Sequence, residues 1–380
     1  MATKIPLEVL SYADSLFTNA HDVVSDAPVH DGRGTFTHLG VRMEGLETAR
    51  HLNFSQHTSA ADELTFTRSA STCNTIVLRV RDRQRARIHA LTLDTRFYTR
   101  NQTKFIYSVH AILQNQGQPD TSSLILSDLI LEGDRERVFP LDSPVEATLL
   151  VLRAGEGGLT RIHAHGEVIS ASEHWSDLLT ANGATVFGAS DASYGDPSLV
   201  LRSKREGQVM AGWESCRHSC RHRLGIAFSE PLDIEQVNVI EVDTYMHCLN
   251  PFRAFCILAY TGTPVDEEAL LKALPQWNVT HVPTGQQMLV DDDHLNIKVE
   301  EWQKTKPFDL QTVSYSMCLT DSSPWQVLLP IKTLQRDTLH VFRRHRNELR
   351  ALTGKVSHLM LMGVPDGGIH RIGVYAVQQK

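Results

Sequence analysis

Acidic, basic and imidazole side chains recur with the same spacing at two distant places in this chain. Residues 43–51 and 210–218 both follow the pattern Met-x-Gly-x-Glu-[Ser/Thr]-x-Arg-His. A carboxylate can accept a proton from water, a guanidinium can hold an anionic group, and an imidazole can do acid–base work near neutral pH. The side chains that could do this chemistry are Glu47, Arg50 and His51 in the first copy and Glu214, Arg217 and His218 in the second.

A structural interpretation of the same motif stays open beside the catalytic one. Glu and Arg three residues apart share a face on a helical turn, but they project to opposite sides of a strand. A Glu–Arg ion pair could therefore fix a turn at the edge of a fold, with Trp213 packed beneath it. The spacing alone does not separate the two interpretations.

Further landmarks follow both copies in the same order, which indicates an internal duplication. Asp94-Thr95 precedes Asn101 at the interval by which Asp243-Thr244 precedes Asn250. A Gly-Gly pair with an Arg after it closes each copy, at 157–161 and 367–371. The repeat predicts two domains, 1–168 and 169–380, the second carrying a surface insertion at about 263–323.

The downstream landmarks offer functional and structural roles. Asp94 and Asp243 could bind a metal or act as a base, or each could cap the following turn. Asn101 and Asn250 could contact a substrate amide or stabilise turns. The Gly-Gly pairs predict a tight hairpin with positive φ. Both arginines after them could bind a carboxylate, although we expect a surface position: Arg161 and Arg371.

The segments between the landmarks have the pattern of β-strands. Residues 75–80, 85–94 and 106–113 alternate apolar and polar side chains and are rich in β-branched types. Residues 1–18 predict a helical or extended lead-in, and 169–179 a connection that is helical around 174–177. Short strands, frequent turns and no βαβ alternation predict an all-β chain of two tandem antiparallel β-sandwiches of jelly-roll type.

Composition narrows the classes of partner. The net charge of −7 shows no excess of basic residues of the kind that binds nucleic acid, so a small molecule or a protein is favoured as the partner. No apolar run reaches the roughly 18 residues that a membrane span needs. Six cysteines without a signal peptide predict reduced thiols in the cytoplasm.

Two clusters suggest metal ligands, and for both we favour another interpretation. The second copy contains Cys216, His218, Cys220 and His222. This spacing fits no closed zinc module, and the aligned positions of the first copy lack the cluster. The acidic run 291–294 inside the predicted insertion is expected to be a solvated loop.

The ordered landmarks resemble those of the allantoicase family over nearly the whole chain outside the insertion. The resemblance is carried by Gly212-Trp213-Glu214-Ser215-Cys216-Arg217, Val242-Asp243-Thr244 with Asn250-Pro251, and Pro365-Asp366-Gly367-Gly368-Ile369-His370-Arg371. The chain departs from the family pattern where Leu46 replaces Trp. Neither copy has the Gly-His-Asp-Trp element, and the residues between Asp-Thr and Asn are altered in both.

The resemblance implies two galactose-binding-like sandwiches and the hydrolysis of allantoate to ureidoglycolate and urea. It implies a catalytic set of Glu214, Asp243 and His218, a substrate-binding set of Arg217, Trp213, Asn250 and Arg371, and first-copy counterparts Glu47, Arg50, Asp94 and Asn101. A divalent metal ion and a homo-oligomer are left open. The alternatives are a catalytically decayed binding or assembly module and, by fold analogy only, a carbohydrate-binding module. We expect the second copy to hold any working site and the first to serve as scaffold.

Overall fold

The chain folds into two compact units, Met1–Glu173 with Lys380 and His174–Gln379. The computed structural model describes residues 3–15, 17–37, 40–41, 43–48, 74–114, 119–169, 173–192, 194–205, 212–216, 222–248, 250–262, 266–272, 276–282, 284–289, 313–318, 323–364 and 366–379.

The described residues of the first unit include strands β1 to β13. They are β1 (Thr3–Ile5), β2 (Leu7–Tyr12), β3 (Phe36–Thr37), β4 (Gly40–Val41), β5 (Leu46–Glu47), β6 (Asn74–Val80), β7 (Arg85–Asp94), β8 (Phe105–Leu113), β9 (Thr121–Ile130), β10 (Glu136–Ala147), β11 (Leu149–Ala154), β12 (Gly158–Leu159) and β13 (Arg161–Ile169). A four-stranded sheet has the order β1-β13-β7-β10, and a five-stranded sheet has the order β2-β6-β11-β8-β9. Strands β5 and β12 form a separate antiparallel pair, as do β3 and β4.

The second unit repeats this architecture. It contains β14 (Glu173–Asp177), α1 (Leu178–Ala181), β15 (Ala184–Ala189), β16 (Trp213–Glu214), β17 (His222–Asp233), β18 (Val239–Asp243), β19 (Ala254–Tyr260), α2 (Glu267–Lys272), β20 (Gln276–His281), β21 (Gln286–Leu289), β22 (Val313–Cys318), β23 (Trp325–Thr333), β24 (Leu339–Arg343), β25 (Lys355–Val364), β26 (Gly368–Ile369) and β27 (Arg371–Gln379). The sheets have the orders β14-β27-β18-β24 and β15-β17-β25-β19-β23, with β16 and β26 as the small pair. Matching strand orders confirm the predicted duplication of a β-sandwich.

The core of each unit lies between its two larger sheets and is built by alternation along the strands. In β6, the buried side chains Ile76, Leu78 and Val80 point to the core, and every second residue points away. The second unit is filled in the same way by a cluster that includes Ile226, Phe255 and Leu361. Alternation places one face of each strand inside, which is why the sequence pattern identified the sandwich.

The predicted insertion follows β19 and precedes β23. Its described residues form α2 and a three-stranded sheet of order β21-β20-β22. In the first unit the equivalent strands β8 and β9 pair directly as neighbours in sequence. The acidic run 291–294 lies outside the described residues.

Of the two alternatives for the lead-in, the extended one is found, because β1 and β2 pair with β13 and β6 at the sheet edges. The connection at 174–177 is not helical: it is strand β14, and α1 begins only after Asp177, whose side chain caps that helix. Among the helices in the described ranges, none is long and apolar enough to cross a membrane.

Candidate active site

Each copy of the repeated motif lies on a short strand that pairs with the Gly-Gly landmark of the same unit. Strand β5 pairs with β12, so that Glu47 lies opposite Gly158. Strand β16 pairs with β26 in the same register, so that Glu214 lies opposite Gly368. The Gly-Gly landmarks therefore close a long-range contact with the Glu motif, which corrects the expectation of a local hairpin.

Backbone geometry explains the glycine before each of these strands. Gly45 and Gly212 have φ of +88° and +108°, in the left-handed region that favours glycine. A Cβ on either residue would also collide with a backbone carbonyl, that of Leu159 in the first unit and that of Ile369 in the second. The glycine thus allows the Glu strand to lie directly against its partner.

The hydroxyl residue of the motif fastens the same pairing. The Thr48 hydroxyl accepts a hydrogen bond of 2.8 Å from the Gly157 N–H. In the second unit, the Ser215 hydroxyl accepts from the Gly367 N–H at 2.9 Å and donates to the Gly367 carbonyl at 3.0 Å. A Ser or Thr hydroxyl at this place therefore forms a hydrogen bond with the backbone of the Gly-Gly landmark.

The motif glutamate and the downstream asparagine meet in both units. The Nδ2 of Asn101 donates to Oε1 of Glu47 at 2.8 Å, and the Nδ2 of Asn250 donates to Oε1 of Glu214 at 2.5 Å. Burial raises the pKa of Glu47, and the bond from Asn101 works against that shift. The asparagines therefore orient a carboxylate that lies half-buried at the edge of each sandwich.

His247 completes this arrangement in the second unit. Its side chain is 5% exposed, and it lies three residues before Asn250 on the same loop. The ring lies against Gly368, where any Cβ would clash with it. We refer to Glu214, Asn250, His247 and Gly368 as the edge site. The sequence analysis did not select His247, although it marked the altered segment that contains it.

The imidazole of His247 is neutral at physiological pH. Burial lowers its pKa from 6.5 to about 4, and proximity to His370 acts in the same direction. The nearby Asn250 side chain and the carboxylates of Asp243 and Asp337 oppose this lowering of the pKa without reversing it. A neutral ring has one N–H donor and one acceptor nitrogen.

The free energy of unfolding should decrease as the pH falls, and protonation of His247 should account for part of the decrease. In the unfolded chain this imidazole gains a proton near pH 6.5, but in the folded chain only near pH 4. The stabilisation is complete above pH 6.5 and is lost as the pH falls toward 4, by about 2 kcal/mol between pH 7 and pH 5. Urea unfolding at the two pH values should show that His247→Gln reduces the loss by this amount. An equal loss in the variant would contradict the assignment.

Asp94 and Asp243 cap the turns that follow them, as the structural alternative predicted. Asp94 accepts from the backbone N–H of Arg96 at 2.8 Å, and Asp243 accepts from that of Tyr245 at 3.1 Å. Both carboxylates are fully buried. These contacts fix the loop that carries the asparagine of each unit.

Arginines neutralise these buried aspartates from different places in the two units. In the first unit, Arg96 from the same turn bonds to Asp94 at 2.6 and 2.9 Å. In the second, Arg205 reaches Asp243 with bonds of 2.8 and 3.0 Å and lies over the ring of Tyr245. Burial by itself would raise the pKa of Asp243, but Arg205 and then Arg371 hold it below the usual range.

Arg161 and Arg371 are buried rather than on the surface, which corrects that expectation. They are 1% and 4% exposed. Arg161 bonds to Glu44 at 2.7 Å, and Arg371 bonds to the fully buried Glu241 at 2.7 Å. Each buried guanidinium has a carboxylate partner, which is partly exposed for Arg161 and fully buried for Arg371.

Trp213 lies in the core and not on a ligand-accessible surface. It is fully buried against Phe252, and its indole N–H donates to the Asp191 carbonyl at 3.0 Å. Leu46 fills the equivalent core position in the first unit. This position gives the Trp a packing role in place of the predicted substrate contact.

Asp191 also binds the segment that follows β16. Its carboxylate accepts from the Cys216 N–H at 2.7 Å and lies 3.1 Å from Nδ1 of His222. The other two members of the Cys/His cluster, His218 and Cys220, lie outside the described residues, as do Arg50, His51 and Arg217.

The described residues do not fit a resident divalent metal at the predicted aspartate. Asp243 lies between two guanidiniums, which repel a cation. No group of three His, Cys, Asp or Glu side chains in the described ranges is placed to hold a metal ion. We therefore derive no step through a metal.

Together these features define a tandem β-sandwich protein with a polar Glu–Asn contact at one strand edge of each unit. The sequence model of the allantoicase repeat matches residues 2–169 and 177–379. The chain belongs to the allantoicase family.

Individual relatives are distant. A probable allantoicase of Pseudomonas aeruginosa (strain UCBPP-PA14) is 23% identical over 387 residues, covering 98% of this chain and 93% of that protein. A probable allantoicase of Acinetobacter baumannii (strain ACICU) is 26% identical over 305 residues, with 76% and 72% covered. The crystal structure of allantoicase from Saccharomyces cerevisiae aligns with 97% of this chain and 90% of that one, at 18% identity and a TM-score of 0.33.

Proposed function

We propose that the protein is an allantoicase-type hydrolase that converts allantoate and water into ureidoglycolate and urea. Membership of the family over both repeats supports the reaction. The observation that carries the proposal is the half-buried Glu214, held by Asn250 at 2.5 Å on the edge of the second unit. A positioned carboxylate of this kind is suited to general base catalysis.

In the proposed reaction, Glu214 accepts a proton from the attacking water. The water oxygen bonds to the carbon that carries the substrate carboxylate and both ureido groups. The bond from this carbon to one ureido nitrogen breaks, and that nitrogen takes a proton and leaves as urea. Protonated Glu214 can return the proton, so the carboxylate is regenerated and the atoms balance.

The other predicted site residues have structural roles in this proposal or stay predictions. Asp243 is proposed as a buried anchor for the Asn250 loop, since its oxygens are occupied by Arg205 and the Tyr245 N–H. Arg217 and His218 stay predictions for holding the substrate carboxylate and for acid catalysis. Arg217 follows Cys216, which is the last described residue of the second motif copy.

The second unit is proposed to hold the working site. Trp213 fixes its strand with both core contacts and an indole hydrogen bond, whereas the side chain of Leu46 has no hydrogen-bond donor. The first unit is proposed as scaffold, although its Glu47–Asn101 contact repeats the geometry.

Burial of three predicted site residues favours a second candidate, a catalytically decayed module for binding or assembly. Asp243, Arg371 and Trp213 all have partners inside the fold. Such contacts maintain a sandwich whether or not it turns over a substrate.

An assay of purified protein separates the two candidates. Incubation with allantoate should release urea and ureidoglycolate, the latter measured as glyoxylate after its breakdown. The assay is run with a chelator and with added Mg²⁺, Mn²⁺ or Zn²⁺. Turnover under any of these conditions supports the hydrolase. The absence of turnover under every condition would refute the hydrolase and favour the binding module.

The remaining expectations from sequence stay predictions. They are a cytoplasmic location, the lack of nucleic-acid and membrane partners, and a homo-oligomer as the assembly left open. Size-exclusion chromatography with light scattering would measure the assembly directly.

A further inference from the structure

An exposed tyrosine lies beside the edge site of the second unit. An isolated antiparallel β-bridge joins Tyr194 to Glu214, on the side of β16 that faces away from Gly368. Residues opposite each other in an antiparallel pair project their side chains to the same face, with Cβ atoms about 5 Å apart. The side chain of Tyr194 is therefore an immediate neighbour of the Glu214 side chain, whose carboxylate Asn250 orients.

Alternation along β16 determines which face these two side chains share. Trp213 is fully buried in the core, so the next residue, Glu214, projects away from the core. Tyr194 projects in the same direction, which explains why this large aromatic residue is 49% exposed. Its side chain is accessible to a ligand that reaches the Glu214 carboxylate.

Asp191 anchors the segment that carries Tyr194. Its backbone carbonyl accepts from the indole N–H of Trp213 at 3.0 Å, and its carboxylate accepts from the Cys216 N–H at 2.7 Å. The same carboxylate lies 3.1 Å from Nδ1 of His222. Together with the β-bridge, these contacts hold the segment against β16, so the position of Tyr194 does not depend on a bound ligand.

The first unit has a different aromatic residue at the equivalent place. Phe17 follows the last residue of β2 at the interval by which Tyr194 follows the last residue of β15. It is 41% exposed. The backbone N–H of Glu47 donates to the Thr18 hydroxyl beside it at 2.8 Å. An exposed ring is thus common to both units, whereas a phenol hydroxyl is present only in the second.

We propose that Tyr194 contacts a ureido group of the substrate and so helps to select the substrate at the edge site. The planar ureido group lies against the ring, and the phenol hydroxyl donates a hydrogen bond to the ureido oxygen. The inference rests on the proposed hydrolysis at the second unit and adds a residue that the repeated motif does not contain. It leaves the substrate carboxylate to Arg217, as predicted from the sequence.

Two substitutions separate the hydroxyl of Tyr194 from its ring. Tyr194→Phe should raise KM for allantoate about 3- to 10-fold and keep kcat within about twofold of wild type, because one hydrogen bond to the substrate is lost. Tyr194→Ala removes the ring as well and should lower kcat/KM about 10- to 100-fold. The β-bridge uses only the backbone, so the melting temperature should change little in either variant. An unchanged KM in both variants would overturn the proposal.

Phe17 provides a matched control in the first unit. Phe17→Ala removes an exposed ring from the equivalent place and should leave kcat/KM within about twofold of wild type. A loss as large as that of Tyr194→Ala would contradict a substrate contact specific to Tyr194.

A binding measurement distinguishes failure of this inference from failure of the proposed reaction. Allantoate is titrated calorimetrically into Glu214→Gln protein and into the same variant carrying Tyr194→Ala, which should bind about 10-fold more weakly. Such weakening, with a wild-type protein that does not turn over allantoate, would support the contact while rejecting hydrolysis. Wild-type turnover with equal affinity of the two variants would overturn the inference alone. Neither binding nor turnover would overturn both.

Discussion

Replacing Glu214 by glutamine is expected to lower kcat for allantoate about 1000-fold, the range for loss of a general base. The amide has nearly the shape of the carboxylate and can keep a hydrogen bond with Asn250, which lies 2.5 Å away in the wild type. It cannot accept a proton from water. The measurement is steady-state urea release, with circular dichroism and thermal melting to show that the fold is retained.

The equivalent substitution in the first unit is the control for this prediction. Glu47 has the same contact, with Asn101 at 2.8 Å. Glu47→Gln should retain kcat within about threefold if the second unit alone is catalytic. An unchanged rate in Glu214→Gln would refute Glu214 as the base, and a large loss confined to Glu47→Gln would move the site to the first unit.

Replacing Arg371 by methionine is expected to destabilise the protein by about 3–5 kcal/mol, the cost of leaving a buried charge without its partner. Its guanidinium bonds to Glu241, whose side chain is fully buried, and lies 3.5 Å from the equally buried Asp243. Burial by itself would lower the pKa of Arg371, but these carboxylates raise it above the usual value, so the charge persists. Urea denaturation at pH 7 measures the loss.

Arg87 offers a matched control on the surface. It bonds to Glu146 and Glu167, and its side chain is 44% exposed. Arg87→Met should change stability by about 1 kcal/mol or less, since exposed ion pairs contribute little. Adding Glu241→Leu to Arg371→Met should restore part of the stability, because the stranded carboxylate is then removed. Equal losses for the two single arginine variants would contradict the buried-charge argument.

Arg371 also shows where sequence reasoning reached its limit. The sequence shows Arg371 directly after the Gly-Gly landmark, but an arginine that follows a turn is usually on the surface. Only the register of β27 against β18 places it beside Glu241 and Asp243. The carboxylate at 241 had no marker in sequence, since it lies within an apolar strand.

The sequence by itself determined the duplication, the sandwich class and the main polar landmarks. These are properties of local order: alternating side chains specify a strand with one buried face, and a repeated spacing specifies a repeated unit. The Glu and Asn residues were both selected in this way, as candidates without a known contact: Glu47, Asn101, Glu214 and Asn250.

Tertiary structure decided which of these residues meet and which are buried. The pairing of β16 with β26 brings Glu214 opposite Gly368, and Arg205 reaches Asp243 from a distant loop. His247 is buried because its ring lies against Gly368, which is far from it in sequence. Such contacts depend on strand register and loop closure over long separations in sequence, and spacing within a motif contains no information about either.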